Sequence, residues 1–342
     1  MKLGLMYDCC IQDSFYIKNK VAYTFKDDKP YTHIHAISPE LQVMGWNYPY
    51  LWDDGCFINV KEWTEKGLDL PDYDLDVIMY ANERVGVDSK NLHKYNVERI
   101  KKKYPNAKII GWIKEVNSST HNMYERIQNK IQFYKECDFF AGNGITEMKK
   151  LKQYEELENL VGRKLNFITC PINIDSFYDN FYSNEKKEMI FAYTPNSIHR
   201  RTDTFEFAIE MGKKYNVEVI SKNSEKTKQN FYHLSQKEFI EMWSQASFHF
   251  NLDSTITQPG HQATQVANVG SINIGGMNES HHILFPDTAT CDKKILEEKF
   301  EMYLKDLNKR SEALEFAWEK LNQTYSYDVV KKQLNNLIYG ES

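Results

Sequence analysis

Along the chain, short apolar runs alternate with stretches in which apolar residues recur every three or four positions. The runs read as strands buried on both faces and the stretches as amphipathic helices, and their alternation predicts parallel sheets with helices on both sides. In the first half the predicted strands are 2–7, 77–80, 107–113, 138–141 and 165–169, with helices at 88–104 and 120–136. Residues 21–70, rich in Tyr, Trp, Asp and Pro, are weakly periodic and predict one or two strands between long loops. The polar stretch 170–187 reads as a connection between two domains. Beyond it come strand 189–193, helix 202–215, strand 217–221, helix 236–246 behind a Ser235–Glu238 capping box, strand 248–252, a short helix, strand 271–274, and the long helices 293–322 and 327–337. The domains predicted are 1–177, 188–323, and a C-terminal helical segment 324–342 that packs back on the first.

One segment carries more than pattern. Thr257-Gln258-Pro259-Gly260-His261-Gln262-Ala263-Thr264-Gln265 is a polar, glycine-bearing turn that opens a helix directly after an apolar strand. Free N–H groups and the positive end of the dipole converge at such a helix start, which makes it a place for phosphate. An ordinary strand-to-helix turn is the alternative. Ser197-Ile198-His199-Arg200-Arg201, also just after a strand, supplies a second phosphate-binding candidate.

With 342 residues, 41% hydrophobic and 27% charged, the chain suits two α/β domains. A net charge of −5 argues against a generally basic nucleic-acid binder. No apolar run reaches the length of a membrane span and the first residues enter a strand, so the expected location is cytoplasmic. The six cysteines lack C-x-x-C spacing and read as reduced thiols.

The order of elements and the residues at their ends resemble the GT-B glycosyltransferases, built from two Rossmann-like domains facing each other across a cleft, and in particular the glycosyl transferases group 1 superfamily. The likeness is carried by residues 187–276. Phe191–Asp203 stands where that family has an arginine- and lysine-bearing turn, Gly260 matches its glycine, and Gly270-Ser271-Ile272-Asn273-Ile274 its closing glycine and strand. Pro171-Ile172-Asn173-Ile174-Asp175-Ser176-Phe177 is similar to the segment that ends the family's first domain. Thr257 and Gln265 occupy the positions of the two signature glutamates, and the first strand is followed by Asp8-Cys9-Cys10 instead of a glycine-rich turn, so this is a divergent pattern.

The resemblance implies transfer of a sugar from a nucleotide sugar, UDP- or GDP-linked, to a hydroxyl acceptor, with no bound metal and no other cofactor. Arg200 and Arg201 would stabilise the leaving diphosphate through forked bonds, and because adjacent residues cannot face one point, one of them does more. Ser197 and the N–H groups at Gly260, His261 and Gln262 would meet the phosphates or the sugar, with Thr257 beside them. Gln265 would bond a ribose hydroxyl, and Tyr232 would stack on the base. Glu115, at the end of strand 107–113, is the expected base toward the acceptor, and Asp8 is the competing carboxylate. A retaining enzyme would need neither as a base.

Other clusters carry less. Asp72-Tyr73-Asp74 has D-x-D spacing but precedes a strand, and so reads as a solvated turn. His33/His35 and His281-His282 lack partner ligands at metal-site spacing. Three other readings stand beside sugar transfer to a glycan: a nucleotide-sugar epimerase, a binding protein that has lost catalysis, and a transferase whose acceptor is a hydroxymethylated DNA base entering the cleft flipped. The nucleic-acid acceptor is the less favoured one.

Overall fold

Strand alternation sorts the first core. Leu3, Leu5, Tyr7, Val77 and Met79 turn to one face of a sheet, while Met6, Ile78 and Tyr80 turn to the other. The structure, a computed structural model, describes residues 1–7, 14–30, 47–60, 69–81, 97–113, 131–144, 152–175, 182, 186–192, 203–221, 241–253 and 261–340. These form two units, one from residues 1–172 and 327–340 and one from residues 173–326.

The strands of the first unit are β1 (Leu3–Tyr7), β2 (Phe15–Lys18), β3 (Val21–Thr24), β4 (Gly55–Asn59), β5 (Val77–Ala81), β6 (Lys108–Ile113), β7 (Phe139–Asn143) and β8 (Asn166–Ile168). They make one sheet in the order β3-β2-β4-β1-β5-β6-β7-β8. From β4 to β8 neighbouring strands run parallel, and the β2–β3 hairpin adds an antiparallel edge. The inner strands β1, β4 and β5 are buried at every position, as near-continuous apolar runs covered on both faces should be. Helix α1 (Val97–Lys103) contributes Val97 and Ile100 to one face, and α2 (Ile131–Glu136) and α3 (Lys152–Val161) close a third cluster over Phe140.

The second unit holds β9 (Lys187–Ala192), β10 (Glu218–Ser221), β11 (Ala246–Phe250) and β12 (Ile272–Ile274) in the order β10-β9-β11-β12, all parallel. Around them lie α4 (Thr204–Tyr215), α5 (His261–Asn268), α6 (Glu279–Leu284), α7 (Lys293–Lys305) and α8 (Leu307–Tyr325). Phe300 of α7 meets the rings of Phe248 and Phe250 edge-on, at 4.9 and 5.2 Å between centroids. The last helix, α9 (Tyr327–Tyr339), places Val330 and Leu334 in the core of the first unit, and Gln333 Oε1 accepts from the Thr169 amide at 2.9 Å.

Four elements differ from the sequence reading. The stretch 293–322 is two helices, because Asp306 takes an extended conformation and its carboxylate caps the amides of Asn308 and Lys309. The short helix α6, the strand β2 and the helix α3 were not predicted. Of the helices expected at 88–104, 120–136 and 236–246, residues 97–103, 131–136 and 241–244 are helical, whereas Ala246 already belongs to β11.

Candidate functional site

Parallel α/β sheets bind ligands beyond the carboxyl ends of their strands. In the second unit that edge is polar and largely buried. After β11 the chain runs Asn251-Leu252-Asp253, with all three residues buried. The Asn251 amide donates to Ile274 O at 2.9 Å and that of Met277 to Asp253 O at 3.2 Å, so the segments leaving β11 and β12 are tied together. The Leu252 amide donates to Thr204 Oγ1 at 3.0 Å, which joins the first turn of α4 to the same edge.

Gly275 and Gly276 turn the chain after β12 with φ of +93° and +92°, a region that residues with a Cβ rarely enter. A Cβ on Gly275 would lie 2.2 Å from Asn251 O, so the approach of the two segments also needs glycine. Asn278 then caps α6. Its Oδ1 accepts from the His281 amide at 3.2 Å and from Ser280 Oγ at 3.0 Å, and it also meets His281 Nδ1. Burial, followed by the neighbouring His282, pushes the His281 imidazole down to about 3, so it is neutral and serves the packing. Glu279 is fully buried in the first turn of α6, where the dipole favours a carboxylate.

Helix α5 begins at this edge. Gln262, in its first turn, is 8% exposed, and its Oε1 accepts from Asn251 Nδ2. Its Nε2 has no hydrogen-bond partner among the described residues. Gln265 lies one turn on, partly buried. Of the residues expected at the site, Gln262 is thus brought to the carboxyl edge by its bond to Asn251, Gln265 follows it one turn along α5, and the backbone of His261 opens the helix. Asp8, Glu115, Ser197, Arg200, Arg201, Tyr232, Thr257 and Gly260 lie outside the described residues. Asn251, Asp253, Asn278 and Glu279 were missed by the sequence reading. Asn251 and Asp253 follow directly on the apolar run of β11, and Asn278 and Glu279 come after the Gly275-Gly276-Met277 turn that leaves β12.

Elsewhere, the Asp72 and Asp74 carboxylates are exposed and pair with Lys103 and Lys2, as befits a solvated turn. A cavity of about 430 Å³ opens at the opposite, amino-terminal edge of the second sheet, beside Tyr182, Lys186, Gly270, Arg310 and Trp318. Burial lowers the Lys186 amine to about 7, while the carbonyls of Ser244 and Val269 accept its protons. Lys186 is thus held by backbone, whereas Gln262, at the other edge, keeps an unmet donor.

No protein-family model matches the sequence, and no curated protein matches it. Solved structures do resemble it. The T4 alpha-glucosyltransferase in complex with UDP-glucose and DNA containing an abasic site superposes with a TM-score of 0.52 at 12% identity, over 83% of this chain and 85% of that one. A TarM variant from S. aureus, in complex with Fondaparinux, alpha-GlcNAc-glycerol and UDP, gives 0.55 at 11% identity over 93% and 62%. Anabaena HepE in complex with UDP gives 0.56 at 8% identity over the whole of both chains. The fold is that of the GT-B glycosyltransferases. Among the described residues, no helix is long and apolar enough to cross a membrane.

Proposed function

We propose that the protein is a glycosyltransferase that moves a sugar from a nucleotide sugar to a hydroxyl acceptor. One observation carries the reading: at the carboxyl edge of a GT-B-like second unit, a helix start presents a buried amide donor, Gln262 Nε2, that lacks an acceptor. Free N–H groups and a side-chain donor at one helix start suit a diphosphate. Similarity to structures determined with UDP or UDP-glucose supports UDP as the nucleotide.

In this reading Gln262 and the backbone at Gly260 and His261 bind the diphosphate, Gln265 bonds the ribose, and Tyr232 stacks on the base. Arg200 and Arg201 stabilise the charge that develops on the leaving diphosphate, without a metal ion. Ser197 and Thr257 line the donor site. Glu115, with Asp8 as its rival, takes the acceptor proton if the anomeric centre is inverted.

The test is a thermal-shift series with UDP, GDP, and UDP- and GDP-sugars, followed by assay of the stabilising sugar nucleotide for hydrolysis and transfer. A ligand at about 100 times its Kd raises stability by about 2.7 kcal/mol, a readable shift. The absence of stabilisation by any nucleotide would remove the proposal. Turnover of the sugar nucleotide without acceptor to its epimer would instead assign an epimerase, and binding without turnover a binding protein. Offering a glycan and a duplex containing hydroxymethylated bases separates the two acceptor classes.

A further inference from the structure

Asn251 and Gln262 form a pair in which the role of every polar atom follows from one fixed donor. The Asp253 amide is a backbone N–H and can only donate, and it meets the Asn251 side chain at 3.0 Å. The atom it meets must therefore be Oδ1. That leaves Nδ2 of Asn251 to face Gln262, and a donor there needs an acceptor, so Gln262 turns its Oε1 inward. Nε2 is then left over with two N–H groups, buried and without a partner among the described residues. An unmet buried donor is unfavourable, a penalty that an incoming oxygen removes.

Asn251 is itself held firmly. It is 3% exposed, its amide is bonded to Ile274 O, and its carbonyl lies against Gly275 so closely that no Cβ would fit between them. The amide polarity thus runs from the Asp253 backbone through Asn251 to Gln262, and ends on the first turn of an eight-residue helix, where the backbone N–H groups also seek acceptors.

We propose that Asn251 is a positioning residue that locks the Gln262 carboxamide with Nε2 toward the ligand, and that the group it awaits is an anionic oxygen of a nucleoside diphosphate. This rests on the function proposed above and deepens it. In Asn251→Asp the new carboxylate still accepts from the Asp253 amide but can no longer donate. The Gln262 amide then turns its Nε2 inward and offers Oε1, which repels phosphate.

The experiment measures binding of UDP, UMP and uridine to wild type, Asn251→Asp, Gln262→Leu and the double variant, with NMR of the Gln262 side-chain amide. Tenfold or greater loss of UDP affinity is expected in each single variant, with uridine affinity nearly unchanged. The double variant should be no weaker than Gln262→Leu, because the two residues act as one unit. In wild type, UDP should shift the Gln262 Nε2 resonances; in Asn251→Asp they should be displaced before any ligand is added and respond little to UDP. Wild type that binds UDP while Asn251→Asp binds it equally well, or losses that simply add, would overturn this inference alone. Wild type that binds no nucleoside diphosphate would overturn the proposed function as well. Should Asn251→Asp fail to fold, Gln262 amide resonances in wild type that ignore saturating UDP would decide against it.

Discussion

Gly276 lies against the imidazole of His281: a Cβ built on the glycine would stand 2.6 Å from Nε2 and 2.7 Å from two ring carbons. The contact packs the turn after β12 onto the helix that follows it. Because Gly276 also has φ of +92°, Gly276→Ala meets both backbone strain and a ring that burial prevents from moving aside. A loss of about 2–4 kcal/mol is expected in urea unfolding. A change under about 0.5 kcal/mol would show that the turn relaxes freely.

Acid should weaken the second unit through its buried histidines. His281 is held down to about 3, against about 6.5 for a histidine in the unfolded chain. Between those values the unfolded chain holds a proton that the native one refuses, so stability falls as pH drops from about 6.5 toward 3. Above that window the residue is neutral in both states and contributes no slope. His249, packed by Phe191 and Trp243, is pushed well below its ordinary range, first by burial and then by Lys186, and adds in the same direction. In His281→Gln the stability difference between pH 7 and pH 4.5 should shrink by about 2–3 kcal/mol. Chemical denaturation at the two pH values measures it, and an unchanged difference would mean that His281 titrates normally.

Arg163 supports the first unit. Its guanidinium donates to the carbonyls of Cys137 and of Asp138, the latter at 2.6 Å, and reaches Tyr134 O at 3.3 Å, which closes the end of α2 where it enters β7. Arg163→Ala leaves these carbonyls unmet and should lower stability by about 2–4 kcal/mol. Arg163→Lys should restore only part, since an ammonium lacks the planar fork. Full rescue by lysine would show that charge, not the fork, holds the turn.

On the ligand side, Gln265→Leu should weaken UDP binding about tenfold, whereas Gln265→Glu should retain it, because a carboxylate accepts from a ribose hydroxyl as the amide oxygen does. The Arg200→Ala, Arg201→Ala pair should abolish the UDP-induced thermal shift and leave that of uridine. Isothermal titration reads all of these, and an unchanged UDP affinity in the arginine pair would withdraw its role at the diphosphate.

The sequence was most legible where burial is complete. The runs that became β1, β5, β6 and β9 are apolar enough to stand out, and the period of α4 marks a helix with Phe205, Ala208 and Met211 inside. The β2–β3 hairpin was not legible, because its turn places Asn19 and Lys20 at φ of 51° and 63° without the Asn-Gly pair that usually signals such a turn. Helix α6, with six residues and two adjacent histidines, is too short for periodicity to reveal. At the site, helix α5 was visible as a short helix after an apolar strand. The Asn251–Gln262 pair was not, since it depends on a strand end and a helix start meeting side chain to side chain.

The return of α9 to the first unit has a consequence for synthesis. As the ribosome delivers the chain from its amino end, residues 173–326 are complete while the sheet made earlier still lacks Val330 and Leu334. The later-made unit can therefore mature first. A nascent chain stalled before Tyr327 would leave an oily patch on the older one uncovered until α9 emerges.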